Sequence, residues 1–392
     1  MRILFVQYGD YREAAINFRH GGEETYNAQR YSVEYVADLA GQHQYVGVIC
    51  VAANERYSEQ LSSGVHALGV DYRTQPTAAL IKLIAAQNPT HIILRTPIVA
   101  VIKWACKHNI SILPLLADSF DDKGIKQYLR NRRLRQSLNK PCIPWVANHN
   151  IGSSQSLQRI GVDPGKILPW DWPPQMSPDE YVTREIISDI GKTFLMYVGC
   201  VTENKGVGDT INSIQLLRTK GMDVHLDIFG GGEIDKYNEL IRQKKLQQHT
   251  TLHGKVSHSK IIEEMLTHQA VIVPSRHTYP EGLPNVIYEA LCTKTPLVVS
   301  DHPMFSPIFK HRIDAMVFSA GDENDMHLKI VELISDPHLY QALSSISEAN
   351  WHKLQVPLKW REMIENWLNQ PAHDNRELAG YALDKLTAPP HP

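Results

Sequence analysis

The chain has 392 residues, long enough for two domains with full cores. An apolar fraction of 43%, a charged fraction of 21% and a formal net charge of -2 are those of an ordinary globular protein and give no whole-molecule attraction to nucleic acid. Residues 1–6 read as a strand rather than a signal peptide, and no apolar run approaches the roughly 20 residues of a membrane helix. The five cysteines (Cys50, Cys106, Cys142, Cys200, Cys292) are scattered without a Cys-x-x-Cys spacing, which points to a reducing cytoplasm and against a disulfide frame or zinc site.

In chain order, residues 2–7, 45–51, 91–95, 111–116 and 143–147 are short runs rich in Ile, Val or Leu, read as strands. Helical patterns lie between them, for example over 24–40 and 77–86, and strand–helix alternation predicts a parallel sheet covered on both faces, with ligands at the carboxyl ends of its strands. Gly21-Gly22, before the expected helix at Glu24, would let the backbone approach a ligand; most such pairs are only turns. The strand over 111–116 runs into Ala117 and Asp118. Residues 123–140 carry Lys123, Lys126, Arg130, Arg132, Arg133, Arg135 and Lys140 with no acid among them. Tyr128, Leu129, Leu134 and Leu138 interleave, predicting an amphipathic helix suited to an anionic membrane surface or an acidic acceptor; the alternative is a solvated helix face. Residues 150–161 read as a helix, and prolines 169, 173, 174 and 178 mark 169–181 as an interdomain linker.

The pattern repeats beyond the linker, with strands over 193–199, 224–229, 250–253, 270–273 and 296–300. Helices are expected from about Val207, from about Ile234, and over 257–268, 283–293, 322–336, 337–349 and 351–368. Glycine-bearing loops follow the first two of these strands: Gly199 to Gly206, containing Cys200 and Lys205, and Gly230-Gly231-Gly232. The most informative stretch is 274–291. Pro274-Ser275-Arg276 leads into Glu281-Gly282-Leu283-Pro284-Asn285, and a helix follows with Pro284 in its first turn and Glu289 among Val286, Ile287, Ala290 and Leu291. The unpaired N–H groups and positive dipole end of such a helix suit a phosphate. Glu289 lies roughly 9 Å along the helix axis from Glu281, so the two carboxylates could hold the two ends of an elongated ligand. A carboxylate in an apolar helix is costly to bury without hydrogen bonds, which ribose hydroxyls would supply; the alternative is that Glu289 faces water.

This stretch resembles the Glu-x7-Glu signature of GT-B retaining glycosyltransferases of the group 4 family, also called glycosyl transferases group 1, in its Pro-Ser, Glu-Gly-Leu-Pro-Asn and Glu-Ala elements. The resemblance extends over about residues 1–368. It implies an α/β fold of two Rossmann-like domains facing across a cleft: an acceptor domain over 1–172, a donor domain over 173–350, a crossover helix over 351–368 returning to the first domain, and a polar tail over 369–392 with a short helix over 376–385. It implies transfer of a sugar, with retention, from a nucleotide-sugar to a hydroxyl acceptor such as a glycan, glycolipid or small metabolite. No cofactor or metal is implied, and bacterial envelope or exopolysaccharide assembly is the commonest setting. Glu281 would hold sugar hydroxyls and the positive character of the anomeric centre, Lys205 the diphosphate, and Glu289 the ribose. Gly199, Gly230, Gly232, Gly282, Leu283, Pro284 and Asn285 would line the donor site, with Gly21 and Gly22 near phosphates and acceptor.

Two departures from the family pattern matter. Ala117 stands where a His is expected, leaving Asp118 as a guessed contact, and Cys200 stands where an Arg neutralises the diphosphate. Arg276 is the candidate substitute. Removing a donor aimed at developing charge commonly costs about 2.7–4 kcal/mol. A catalytically degraded protein that binds nucleotide-sugars or serves as a partner subunit is therefore the alternative. The location implied is cytoplasmic, with peripheral contact at the inner membrane face through 123–140.

Overall fold

The computed structural model describes residues 1–121, 124–186, 191–369 and 376–386. The chain divides into two compact units, one made of Met1–Glu24, Ala28–Pro173 and the stretch from Val356 onward, the other of Thr25–Asn27 and Pro174–Gln355.

In the first unit the elements are β1 (Arg2–Gln7), α1 (Tyr11–Arg19), α2 (Gln29–Gln42), β2 (Tyr45–Cys50), β3 (Ala52–Gln60), β4 (His66–Asp71), α3 (Thr77–Ala86), β5 (His91–Leu94), α4 (Val99–Lys107), β6 (Ser111–Leu116), α5 (Ile125–Leu138), β7 (Val146–His149), α6 (Asn150–Arg159) and β8 (Ile167–Trp170). Its sheet runs β3-β4-β2-β1-β5-β6-β7-β8. Only the β3–β4 pair is antiparallel. Apolar side chains fill both faces: Leu4, Val6, Ile92 and Ile112 pack on one, Ile3, Phe5, Ile93 and Leu113 on the other. β3 escapes the sequence reading because it is polar and mostly exposed, an edge strand with no apolar period; β4, short and buried, is also absent from that reading.

The second unit contains β9 (Thr193–Val198), α7 (Val207–Thr219), β10 (Val224–Phe229), α8 (Ile234–Gln243), β11 (Thr250–Gly254), α9 (His258–Thr267), β12 (Ala270–Val273), α10 (Asn285–Cys292), β13 (Leu297–Ser300), β14 (Met316–Phe318), α11 (Glu323–Ser335) and α12 (Pro337–Leu354). Its parallel sheet runs β11-β10-β9-β12-β13-β14. Helix starts follow capping chemistry: Ser257 accepts from Lys260 N–H, Asp322 from Asn324 and Asp325 N–H, and Asp336 from Leu339 N–H ahead of Pro337. The chain returns to the first unit with α13 (Trp360–Asn369), α14 (Arg376–Ala379) and α15 (Leu383–Leu386).

Several expectations are corrected. The single helix over 24–40 is replaced by α1 and a later α2. Between them Gly21, at φ 79°, and Gly22, whose N–H reaches the Asn17 carbonyl at 2.9 Å, close α1 with a six-to-one turn. The glycines end one helix rather than precede the next. The helix over 351–368 is broken by Pro357, so Trp351 belongs to α12 and the second unit's core, Trp360 and Trp367 to the first. The tail is not wholly polar: Leu378, Ala382 and Leu383 are buried in the first unit, while 370–375 and 387–392 lie outside the described residues. Lys123, the expected start of the basic helix, also lies outside them; α5 begins at Ile125. Its apolar residues fall on two faces, Leu134 and Leu138 inward, Ile125, Tyr128 and Leu129 exposed. Finally, the reading against disulfides fails, since Cys106 at the end of α4 is bonded to Cys142 beyond α5. A separation of 36 residues carries no motif; packing of α4 on α5 brings the two together.

Candidate active site

Strand order reverses between β9 and β12, and ligands of open parallel sheets gather beyond the carboxyl ends of strands at such a point. The loops leaving β9 and β12 lie there and are tied to each other and to the loop after β10. Gly199 N–H bonds the Phe229 carbonyl at 2.9 Å, Val201 N–H the Gly231 carbonyl at 2.9 Å, and Glu233 N–H the Val201 carbonyl at 2.8 Å. Gly230, at φ 139°, lies so close that a Cβ would sit 1.8 Å from the Gly199 carbonyl oxygen. Gly206, at φ 74°, starts α7 with Pro274 against it; a Cβ there would meet the Pro274 carbonyl oxygen at 2.2 Å. Gly232 bridges to Val201. The glycines therefore bring three backbones together.

Lys205, in the turn before α7, forms an ion pair with Glu281. Ser275 Oγ donates to the same Glu281 oxygen at 2.7 Å, and the Tyr279 ring lies 4.7 Å from Lys205 Nζ. Both charged side chains are nearly buried, at 12% and 8% exposure. Burying such a pair is tolerable only with good geometry and further hydrogen bonds, which Ser275 supplies. Buried His302 donates from Nε2 to the Tyr279 carbonyl at 3.0 Å, and burial lowers its pKa.

Gly282, Leu283 and Pro284 lead into α10. The helix starts at Asn285 rather than 283, because Pro284 is extended at ψ 141° and stands as the cap, not in the first turn. Leu283 is buried and anchors the approach. No acidic residue occupies the first turn of this helix. Glu289 does not face water: it is 7% exposed and accepts from His258 Nε2 at 3.0 Å, His258 being the first residue of α9.

Arg276 is engaged elsewhere. Its guanidinium holds Asp209 through two bonds at 2.8 and 2.6 Å and Glu203 at 3.2 Å, and the Arg276 backbone N–H donates to the Asn204 carbonyl. It ties the β12 loop to the β9 loop and the start of α7. Cys200 is exposed beside them. Another cation borders the loops: a Cβ on Gly231 would meet Lys255 Cε at 2.9 Å.

The structure thus brings Lys205, Glu281, Gly199, Gly230, Gly232 and the 282–285 turn to one end of the second unit's sheet. The sequence reading assigned no role to Ser275, Asp209 or His258. Ser275 was visible within its motif, whereas Asp209 and His258 meet their partners only through folding. In the first unit, half-buried Asp118 follows β6, with its carbonyl accepting from Asn148 Nδ2 at 2.9 Å. Burial pushes its carboxyl up to about 6 against the pull of Arg130. Gly21 and Gly22 belong to the turn that ends α1.

Residues 183–349 match the glycosyl transferases group 1 family. Among solved structures, sucrose-phosphate synthase from Thermosynechococcus elongatus aligns at TM-score 0.64 and 14% identity, covering 94% of this chain and 98% of the other. HepE from Anabaena, in complex with UDP and glucose, aligns at TM-score 0.63 and 14% identity, covering 94% and 100%. The lipopolysaccharide outer core galactosyltransferase WaaB aligns at TM-score 0.59 and 14% identity, covering 94% and 99%. No curated protein matches the sequence. The family match covers residues 183–349, less than half of the chain, and the two Rossmann-like units have the GT-B fold of these solved structures.

Proposed function

We propose that the protein is a retaining glycosyltransferase that moves a sugar from a nucleotide-sugar to a hydroxyl acceptor: a glycan, a glycolipid or a small metabolite. The observation that carries this reading is the buried Lys205–Glu281–Ser275 cluster at the switch point, beside an α10 N-terminus free of acidic residues and followed by buried Glu289. A cation, an open helix N-terminus and two carboxylates at that spacing suit diphosphate, sugar and ribose in one extended ligand. In the proposed mechanism Lys205 and the first N–H groups of α10 offset charge on the departing diphosphate. Glu281 holds sugar hydroxyls and offsets positive charge at the anomeric carbon, and Glu289 accepts from the ribose. Neighbours of the same fold bind UDP and UDP-glucose, which supports a nucleotide-sugar donor and makes uracil the first base to try.

Thermal-shift binding against UDP-, GDP-, ADP- and dTDP-sugars tests the reading. Stabilisation by one base class at millimolar concentration, with nucleoside diphosphate released when acceptor is added, is the expected result. No stabilisation by any of them removes it. A second reading, a degraded enzyme kept as a nucleotide-sugar-binding or partner subunit, is favoured by one observation: Cys200 replaces the expected cation and Arg276 is held by Asp209. Donor binding without released diphosphate would select it.

The exposed side of α5 supports peripheral contact with an anionic membrane, because Ile125, Tyr128 and Leu129 stand in water near Lys126, Arg130, Arg132 and Arg133. Sedimentation with phosphatidylglycerol vesicles but not phosphatidylcholine vesicles is expected; equal binding to both, or to neither, removes this contact. No helix among the described residues is long and apolar enough to cross a membrane. The proposed cytoplasmic location must accommodate the Cys106–Cys142 bond, since such bonds are rare in reducing compartments.

A further inference from the structure

Resting on the donor-site reading above, we infer that His258 is the positioning residue for Glu289: its Nε2 donates to one carboxylate oxygen and so fixes the orientation in which Glu289 accepts from the ribose hydroxyls of a nucleoside diphosphate. Both side chains are close to fully buried, at 11% and 8% exposure, and Nε2 lies 3.0 Å from Glu289 Oε1. A buried carboxylate needs hydrogen bonds, and it is a precise acceptor only when its rotamer is held. Glu289 sits among Val286, Ile287, Ala290 and Leu291, which offer it none from their side chains. His258 reaches it from another helix, and its own place is fixed by the Ser257 cap of α9. With Oε1 engaged, the carboxylate presents Oε2 and its remaining lone pair to a diol instead of turning freely. His258 touches no donor atom in this assignment; it acts through Glu289.

The test separates this role from a merely structural one by removing the hydroxyls instead of the protein group. Affinities of the full chain for UDP, GDP and ADP, each beside its 2′,3′-dideoxy form, are measured by titration calorimetry for wild type, H258L and H258Q. Gln places an amide nitrogen near the position of Nε2 and restores the donor. The wild type is expected to prefer the ribose form of its nucleotide. H258L should lose roughly tenfold in affinity for that form, the scale of one hydrogen bond to a charged group, and less than about twofold for the dideoxy form. H258Q should stay within about threefold of wild type for both. If H258L does not fold, H258N, whose amide stops one carbon short, takes its place in the comparison with H258Q.

Equal losses for ribose and dideoxy forms would show that His258 supports the fold alone, and unchanged ribose affinity in H258L would show that Glu289 needs no orientation. Either result overturns the inference and leaves nucleotide binding standing. Binding of none of the three nucleotides by wild type overturns the donor-site reading, and this assignment with it.

Discussion

At the scale of the residue, two carboxyls differ in what surrounds them. Glu281 shares its oxygen between Lys205 and Ser275, so E281Q keeps a partner for Ser275 and leaves Lys205 unpaired in a nearly closed site. Breaking a buried pair from one side costs about 3–5 kcal/mol, and a diphosphate would re-pair the lysine. The variant should therefore melt lower than wild type when free, recover more on adding nucleoside diphosphate, and turn over at least about 100-fold more slowly. A variant with normal turnover would remove Glu281 from the chemistry. Asp118 lacks such partners. Burial first, against Arg130, raises its folded-state value from 3.8 to about 6. The folded state thus favours the protonated form; that stability is complete below pH 3.8 and is lost as the pH rises through about 6. D118N should stabilise the fold at pH 8 by about 2 kcal/mol after allowing for water contact, read as a higher melting temperature, and change little at pH 4. A variant that melts below wild type at pH 8 would contradict the burial of this carboxyl.

At the scale of the element, the Gly21-Gly22 turn separates two accounts of one sequence feature. The amino-acid sequence allows a ligand loop; the backbone shows a helix stop. G21A forces a side chain onto φ 79° in open space, at a cost of about 1 kcal/mol from backbone strain alone. If the turn only closes α1, stability falls by that amount and turnover is unchanged; a loss of turnover without loss of stability would restore the ligand role. The same contrast explains how much of the molecule was legible. Strands β9, β10 and β12 and helices α3 and α8 are evident because apolar period and length agree, and Lys205 and Glu281 each stand in a recognisable motif, although their pairing across 76 residues is not announced by it. β3 was hidden by its polar, exposed face, and the break after α12 by an apolar pattern, with Trp351, Trp360 and Trp367, that continues on both sides of Pro357. The partnerships of Arg276 with Asp209, His258 with Glu289 and Cys106 with Cys142 span 67, 31 and 36 residues, and such contacts leave no local pattern to read.

At the scale of the whole molecule, the two units respond to different chemistry. In the first, Cys106–Cys142 closes a loop of 36 residues, and constraining the unfolded chain by such a loop is worth up to about 4 kcal/mol. In the second, Asp227 on β10 is surrounded by histidines: His253 Nε2 at 2.6 Å, His268 Nε2 at 3.0 Å and His225 Nε2 at 3.6 Å, with Lys192, His249 and Glu264 nearby. Burial alone would raise the Asp227 carboxyl, but hydrogen bonds from His268 and His253 outweigh it and hold the carboxyl below its ordinary range. Burial lowers His225, His302 and His311 in the same unit. A lowered folded-state value means stability that is present above the unfolded value and lost as the pH falls through the folded one. The histidines thus begin to weaken the second unit below pH 6.5, and Asp227 adds to this below 3.8. In the first unit His43 and His91 act in that direction while Asp118 opposes them. Reductant should therefore loosen residues of the first unit and mild acid those of the second. Peptide-resolved hydrogen exchange, corrected for intrinsic rates, reads both. Protection lost at pH 5 in β10 and β11 ahead of β1 and β5 is the expected result, and it should be smaller in H225N, which keeps a polar side chain but cannot take up the proton. Earlier loss in β1 and β5 would mean that half-buried His43 and His91 of the first unit, not the set around Asp227, decide how the molecule fails in acid.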